Sequence, residues 1–443
     1  MPDSRKRLAD VAFLLALMLY ILYGTTQVPP HADEYMQIAM ARDYFTLRDQ
    51  GSAALVFTPP LEVDTLQYLR LLNGTLQKNL IGLLWAASGR TAEGLPNIYA
   101  WAMPLAWNVA AGNVPDAASL HLARWTSAAL TALAVVPIFM LGWHLRLRAL
   151  AYPAALLYAL HPVILLNGRR AMMEGSLIFF SLFSMYWLVA LIVAEHSANA
   201  RGFMVKLPPL ARYAVLGILI GLTVASKHTG VIVAGAVLTA ALVTGIVRHK
   251  PIRPLRPLMW VSLAGLIGVL TWFALSPHFW GDPLGALRAM LAARTELIAL
   301  QTTDATLAYQ SFGERIAAIL TQPFLSAPQY FEAPTWAGIL DEQIAAYQNS
   351  ATNGWDWGVP IGLGLTALAT LGLVTLIYEA LRRNLIAWAI LLWAVSAVLA
   401  AAIVPMNWQR YYLPLLLVAI ILAAEGIGRL LVRRDQEAPV KGS

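Results

Sequence analysis

The stretch "MMEGSLIFFSLFSMYWLVALIVA", residues 172–194, carries no charge from Gly175 to Ala194. A helix needs about 20 consecutive apolar residues to cross the hydrocarbon core of a bilayer. This run therefore reads as a membrane span. Working outward from it, similar runs recur near 8–26, 121–143, 149–167, 211–226, 229–247, 258–276, 357–378, 385–404 and 411–431. Composition agrees, since only 12% of the 443 residues are charged, against about 25% in soluble domains. The sequence predicts an all-α polytopic membrane protein of about 10–12 transmembrane helices, with amphipathic helices in two long extracytoplasmic loops. The first span follows "SRKR" (4–7) with no small-residue cleavage site after it, which reads as a retained anchor rather than a signal peptide.

The formal net charge of +7 is unevenly distributed. One set of loops holds "SRKR", "HLRLR" (144–148), Arg201, Lys206, Arg212, "RHKPIRPLRP" (248–257), Arg382, Arg383 and the tail "LVRRDQEAPVKGS". The alternate short loops hold only Arg169, Arg170, Lys227 and Arg410. Cytoplasmic loops collect Lys and Arg, so both termini are placed in the cytoplasm and the alternate loops outside, at a plasma (inner) membrane. The basic balance is thus a topology signal and calls for no nucleic-acid partner. The chain has no cysteine, which excludes disulfides, thiolate nucleophiles and Cys-bound metals. "NGT" (73–75) matches a glycosylation acceptor but carries no weight in a bacterial-looking chain.

The whole chain, 1–443, reads as one membrane domain with an outer cap made by segments 27–120 and 277–356. Loops this long contain structure of their own. Residues 34–49 have the pattern of a helix along the membrane surface, with Asp33 as its N-cap. Residues 79–88 suit a buried or re-entrant helix. "PLGALRAMLAARTELIAL" (283–300) and "TLAYQSFGERIAAILTQ" (306–322) read as amphipathic helices.

The interiors of the ten spans read as free of Asp, Glu, Lys and Arg, unlike an ion-coupled transporter, which places ionisable groups or broken helices there. The unusual charges gather at the outer ends instead. Asp33 and Glu34 follow the first span, "NGRRAMMEG" (167–175) joins the third and fourth, "SKHTG" (226–230) the fifth and sixth, and "NWQRYYLPL" (407–415) precedes the last. Each has a plainer role available: a helix cap at Asp33, snorkelling at Arg169 and Arg170 with an i,i+4 partner in Glu174, an interfacial His228, and an aromatic belt at Trp408, Tyr411 and Tyr412. Their convergence at one depth is what suggests chemistry. Cations there can hold the phosphate of a lipid carrier, and an ionised carboxylate can take a proton from an attacking hydroxyl. That combination describes transfer of a sugar from a polyprenyl-phosphate donor to a lipid, glycan or protein acceptor. A lipid-linked sugar flippase is the alternative, and a non-catalytic assembly protein a further one. A lipid-phosphate hydrolase lacks an evident nucleophile.

These residues resemble the GT-C superfamily of membrane glycosyltransferases, in particular its protein O-mannosyltransferase and aminoarabinose-transferase branch. The carriers are the Asp33–Glu34 pair, the turn with Arg169, Arg170 and Glu174, "GLTVASKHTG" (221–230) with Lys227, and "RYYLPLLL" (410–417). The resemblance implies an inverting transferase with Asp33 as base and Glu34 supporting it. It also implies donor-phosphate contacts from Arg410, Lys227 and one of Arg169 and Arg170, with Glu174, His228, Trp408 and Tyr411 lining the substrate. Ten spans are fewer than that branch usually has, which implies a further helix within the outer loops. No inserted β-trefoil is present, which weakens the case for a protein acceptor. No metal site is assigned and no cofactor required, although a divalent cation stays open. Glu332, Asp341, Glu342, Trp355 and Asp356 are unranked candidates for acceptor contacts.

Overall fold

The computed structural model describes residues 4–146, 148–196, 203–248, 254–355 and 358–431. Arg201, most of the basic run after Arg248, Asp356 and the tail from Val432 lie outside them.

The chain begins with α1 (Ser4–Tyr23), then folds outside the bundle through α2 (Ala32–Met40), α3 (Arg42–Asp49), α4 (Leu66–Leu72), α5 (Leu76–Ala87) and α6 (Leu105–Ala110). It returns along α7 (Ala117–Leu133) and α8 (Val135–Arg146), goes back through α9 (Arg148–Leu160) and α10 (Pro162–Gly168), and descends α11 (Glu174–His196). After the short α12 (Phe203–Lys206) come α13 (Pro209–Ser226), α14 (Gly230–Arg248) and α15 (Leu255–Ala274). A second outer segment holds α16 (Pro283–Gln301), α17 (Phe312–Thr321) and α18 (Asp341–Gln348). The bundle closes with α19 (Gly358–Leu381), α20 (Leu385–Ile403) and α21 (Leu413–Leu431). Among the described residues the β pairing is a single bridge, Ala308 to Met406.

Nine helical stretches of the described residues are long and apolar enough to cross a membrane, with α7 and α8 forming one of them; the bent pair α9–α10 makes a tenth. Helix α21 is the most enclosed, while α1 and α15 turn most of their apolar surface outward, as lipid-facing helices do. Between helices in lipid there is little hydrophobic driving force, so close packing must hold the bundle. Small residues provide it. A β-carbon at Gly217 or Gly221 on α13 would sit 2.6 Å from a carbonyl oxygen of α15, and one at Gly372 on α19 would sit 1.9 Å from the Leu422 oxygen on α21.

Several expectations need correction. The 149–167 run is bent by 59° at His161. Pro162 has no N–H and crowds the carbonyl one turn back, so the helix breaks. The Leu160 carbonyl accepts instead from Trp355 N at 2.8 Å, and the His161 ring meets Pro323 O at 2.7 Å, so the second outer segment is threaded into the break. Residues 34–49 form two helices rather than one. The first is buried, with Tyr35, Met36, Ile38 and Met40 in the core of the cap instead of lying on a membrane surface, and the second buries Asp43 and Phe45 while its last turn is exposed. The N-cap of α2 is His31, whose Nδ1 accepts from Asp33 N at 3.1 Å while Glu34 accepts from His31 N. Finally, ionisable groups do occur within spans, and four of them are paired: Asp10 with Arg148, Arg124 with Glu34, Glu174 with Lys227, Glu425 with Arg146. In the outer segments, α5 matches its expected range closely. Helix α17 starts only at Phe312, and none of the helices there qualifies as a further span.

Candidate active site

Asp33 lies in the first turn of α2, where the helix N-terminus favours a negative charge. The α2 capping box with His31 fixes that turn. The 3-10 turn Gln409–Tyr412 brings Arg410 to it, and Arg410 Nη1 donates to Asp33 Oδ2. The Asp33 side chain keeps 30% of its surface exposed, and among the described residues its Oδ1 has no hydrogen-bond partner. Burial pushes the Asp33 carboxyl up, but the Arg410 guanidinium, helped by His31, outweighs it and holds the group below the ordinary carboxylate range; Glu332 opposes them. An ionised carboxylate with one open oxygen faces solvent.

Glu34, next in sequence, has a different environment. It is fully buried and receives Arg124 Nε at 2.7 Å, Arg124 Nη2 at 2.9 Å, Ala171 N at 2.8 Å and His31 N at 3.0 Å. Both oxygens are fully used, the environment of a group that positions its neighbours. Arg169 and Arg170 are likewise clamps on backbone. Arg169 donates to the carbonyls of Ile21, Tyr20 and Thr352 and to Tyr347 Oη; Arg170 donates to Pro29 O at 3.1 Å and Tyr330 O at 2.6 Å. Arg169 ties α1 to the second outer segment, and Arg170 ties the first outer segment to the second.

Lys227, one residue past the end of α13, pairs with Glu174 Oε1 at 2.7 Å and sits 5.0 Å over the Tyr411 ring. Tyr411 stacks on Trp408 at 5.5 Å, and Arg410 covers Trp408 at 5.0 Å. Asp33, Arg410, Trp408, Tyr411, Lys227 and Glu174 are therefore one continuous ladder of charge and aromatic faces. Burial first, then the charges of Arg294 and Lys78, push the His228 pKa down to about 4.

Beyond this ladder is a cavity of about 140 Å³ that the sequence reading missed. Its polar wall is Asp43, Arg70, Thr75, Lys78, Asn79 and His278; Leu275 and Trp280 at the outer end of α15 form part of its apolar side. Arg70 forks onto Asp43 at 2.6 and 2.9 Å, and Lys78 Nζ reaches Asp43 at 2.6 Å. Asp43 is buried, yet Lys78 and Arg70 hold its pKa down to about 2. Two cations on one carboxylate leave an uncompensated positive charge. The cavity also has unmet hydrogen-bonding capacity: neither ring nitrogen of His278, nor Thr75 Oγ1, nor Asn79 Oδ1 has a partner among the described residues. Burial, then Lys78, push the His278 pKa to about 2, so its ring is neutral at ordinary pH. Gln37, one turn beyond Asp33, bonds Asn73, and Gly74 packs on the backbone of Ser226, so segment 73–75 separates cavity from ladder. A lone Lys in the apolar helix 76–87 was the available signal. Among the described residues no group of three His, Asp or Glu side chains could hold a metal ion.

Residues 71–277 match the family model of dolichyl-phosphate-mannose-protein mannosyltransferase. No curated protein matches the sequence. Among solved structures, the oligosaccharyltransferase AglB of Archaeoglobus fulgidus, in complex with an inhibitory peptide and a dolichol-phosphate, is 13% identical with a TM-score of 0.53, over 100% of this chain and 53% of that one. ArnT of Cupriavidus metallidurans, bound to undecaprenyl phosphate, is 12% identical with a TM-score of 0.50, over 96% of this chain and 61% of that one. The chain spans between about half and three fifths of the length of these two structures. It has the fold of the GT-C membrane glycosyltransferases and carries in residues 71–277 the sequence pattern of their mannosyltransferase family.

Proposed function

We propose that the chain is a single membrane domain that transfers a sugar from a polyprenyl-phosphate carrier to a hydroxyl acceptor on the extracytoplasmic side. The observation that carries this reading is the pairing of an ionised, half-open carboxylate at Asp33 with a nearby cavity of excess positive charge at Lys78. The relatives support it, because solved structures of the same fold hold dolichol-phosphate or undecaprenyl phosphate. Charge also favours a division of labour. Around Asp33, Arg124, Lys227 and Arg410 are each committed to a carboxylate and Arg169 and Arg170 to backbone carbonyls, whereas the Lys78 cavity sets two cations on one carboxylate. A phosphate suits the cavity better, with Lys78, Arg70, Thr75 and the His278 N–H as donors.

In the reaction, the acceptor oxygen attacks the anomeric carbon as its proton passes to Asp33 Oδ1. The new C–O bond forms while the bond from that carbon to the phosphate oxygen breaks, and the electron pair leaves with the carrier phosphate. Lys227 and Arg410 stabilise charge developing between the two sites, and the Trp408 and Tyr411 faces line the path of the sugar. Displacement in one step inverts the anomeric centre. Glu34 supports the base by fixing α2, and Arg169 and Arg170 hold the cap closed. The apolar end of α15 at the cavity wall suits a carrier whose tail stays in the bilayer.

The test is release of polyprenyl phosphate from a panel of polyprenyl-phosphate sugars by purified protein, with cell-envelope extract as acceptor and Asp33→Asn in parallel. Release with one donor, lost by at least about 10²-fold in Asp33→Asn, supports the reading and names the sugar. No release across the panel contradicts it.

A further inference from the structure

Arg410 serves two carboxylates, and the second comes from the other outer segment. Glu332 Oε1 lies 3.1 Å from Arg410 Nε, and its Oε2 is 2.5 Å from His31 Nε2. Because His31 Nδ1 accepts from Asp33 N, the ring proton is on Nε2 and points at Glu332. The Glu332 side chain is only 8% exposed. Two acids sharing one guanidinium in a buried site repel each other and are costly to desolvate, yet the surrounding chain is built to hold Glu332 there. Gln329 and Gln409 exchange reciprocal hydrogen bonds of 2.8 Å, Gln409 also bonds Ala327 O at 3.1 Å, and Arg170 holds Tyr330 O at 2.6 Å. The ring of Trp336 stacks on His31 at 6.5 Å.

We propose that Glu332 is a positioning residue of the transfer reaction: by drawing on the guanidinium that Asp33 uses, it keeps Asp33 basic enough to accept the acceptor's proton and keeps Arg410 aimed. This deepens the reading of Asp33 as the base and rests on it. A guanidinium given to Asp33 alone would stabilise the ionised acid most strongly and make it the poorest proton acceptor. Dividing that charge raises the basicity of Asp33. Other groups facing Asp33 act in fixed ways: the neutral His31 ring through the cap of α2, Arg124 and Arg170 from behind through Glu34, and the Lys227–Glu174 pair from across Tyr411. Glu332 is the member supplied by the second outer segment, so the site is complete only when residues 327–336 are docked.

The experiment compares pH–rate profiles of wild type, Glu332→Gln, Glu332→Asp and Asp33→Asn. Removing the like charge makes Asp33 lose its proton more readily. The acid limb of kcat/KM in Glu332→Gln should therefore move to lower pH, by about one pH unit. Its kcat at neutral pH should fall about ten-fold, with the donor KM within about two-fold. Glu332→Asp keeps the charge but withdraws it by one methylene, so it should move the limb the same way by less; it carries the test if the Gln variant does not fold. An acid limb that stays in place in either folded variant overturns the proposal, and an inactive Asp33→Asn then leaves the base reading standing. An active Asp33→Asn removes both.

Discussion

Adjacent residues 33 and 34 have opposite fates because of what reaches them. Asp33 meets a cation at one oxygen and solvent at the other; Glu34 meets four donors and no solvent. Breaking a buried pair by removing one partner leaves an uncompensated charge, which costs about 3–5 kcal/mol. Arg124→Ala should lower stability by about that amount, seen as a reduced thermal midpoint in detergent. A loss of under about 1 kcal/mol would mean Glu34 is held by the backbone donors instead. The Asp-Glu pair was visible in the sequence. What distinguishes its members was not, because Arg124 lies 90 residues away and Arg410 lies 377 residues away. No local spacing reports such partners. The same limit explains Arg169 and Arg170, whose sequence pattern suggests an anion site, whereas their guanidinium groups are used on carbonyls brought in by three separate segments.

At the scale of elements, helix endings place the site. Helix α13 stops at Ser226 because Lys227 takes an extended conformation, and this aims the lysine at Glu174 and Tyr411 rather than along the helix. Segment 73–75 closes against that ending only because residue 74 is glycine: a β-carbon there would lie 2.1 Å from Ser226 O. Gly74→Ala should force this backbone contact apart, at about 1–3 kcal/mol, and should weaken donor binding along with stability. Unchanged donor affinity in a folded Gly74→Ala protein would show that the wall between ladder and cavity is not needed. Apolar runs in the sequence located the membrane-spanning helices within a few residues. They failed at residues 149–167, where uninterrupted hydrophobicity hid the break that Pro162 imposes, and at 34–49, where one pattern covers two helices meeting at Ala41. Period alone reports burial on one face; it does not report a kink or a second burying partner.

Across the whole molecule, charge is sorted by place. Among the described residues, Arg146 and Arg148 pair with Glu425 and Asp10 where α8 passes into α9, apart from the ladder from Asp33 to Glu174 and the cavity around Lys78. The four stretches named from sequence do meet one another, through Asp33 with Arg410, Lys227 with Glu174 and Lys227 with Tyr411. The cavity escaped notice because its members come from α3, α4, α5 and the residues after α15, each unremarkable alone. On the proposed function, the carrier phosphate binds in the cavity and the acceptor's proton passes to Asp33. The most direct test measures carrier affinity and turnover together for wild type, Lys78→Met and Asp33→Asn, using one polyprenyl phosphate and its sugar-loaded form. Lys78→Met retains the Arg70–Asp43 pair, so it should fold. It should weaken carrier binding about ten-fold or more, while Asp33→Asn should bind the carrier as the wild type does and fail to turn over. The opposite split, with carrier binding lost in Asp33→Asn and intact in Lys78→Met, would contradict the account.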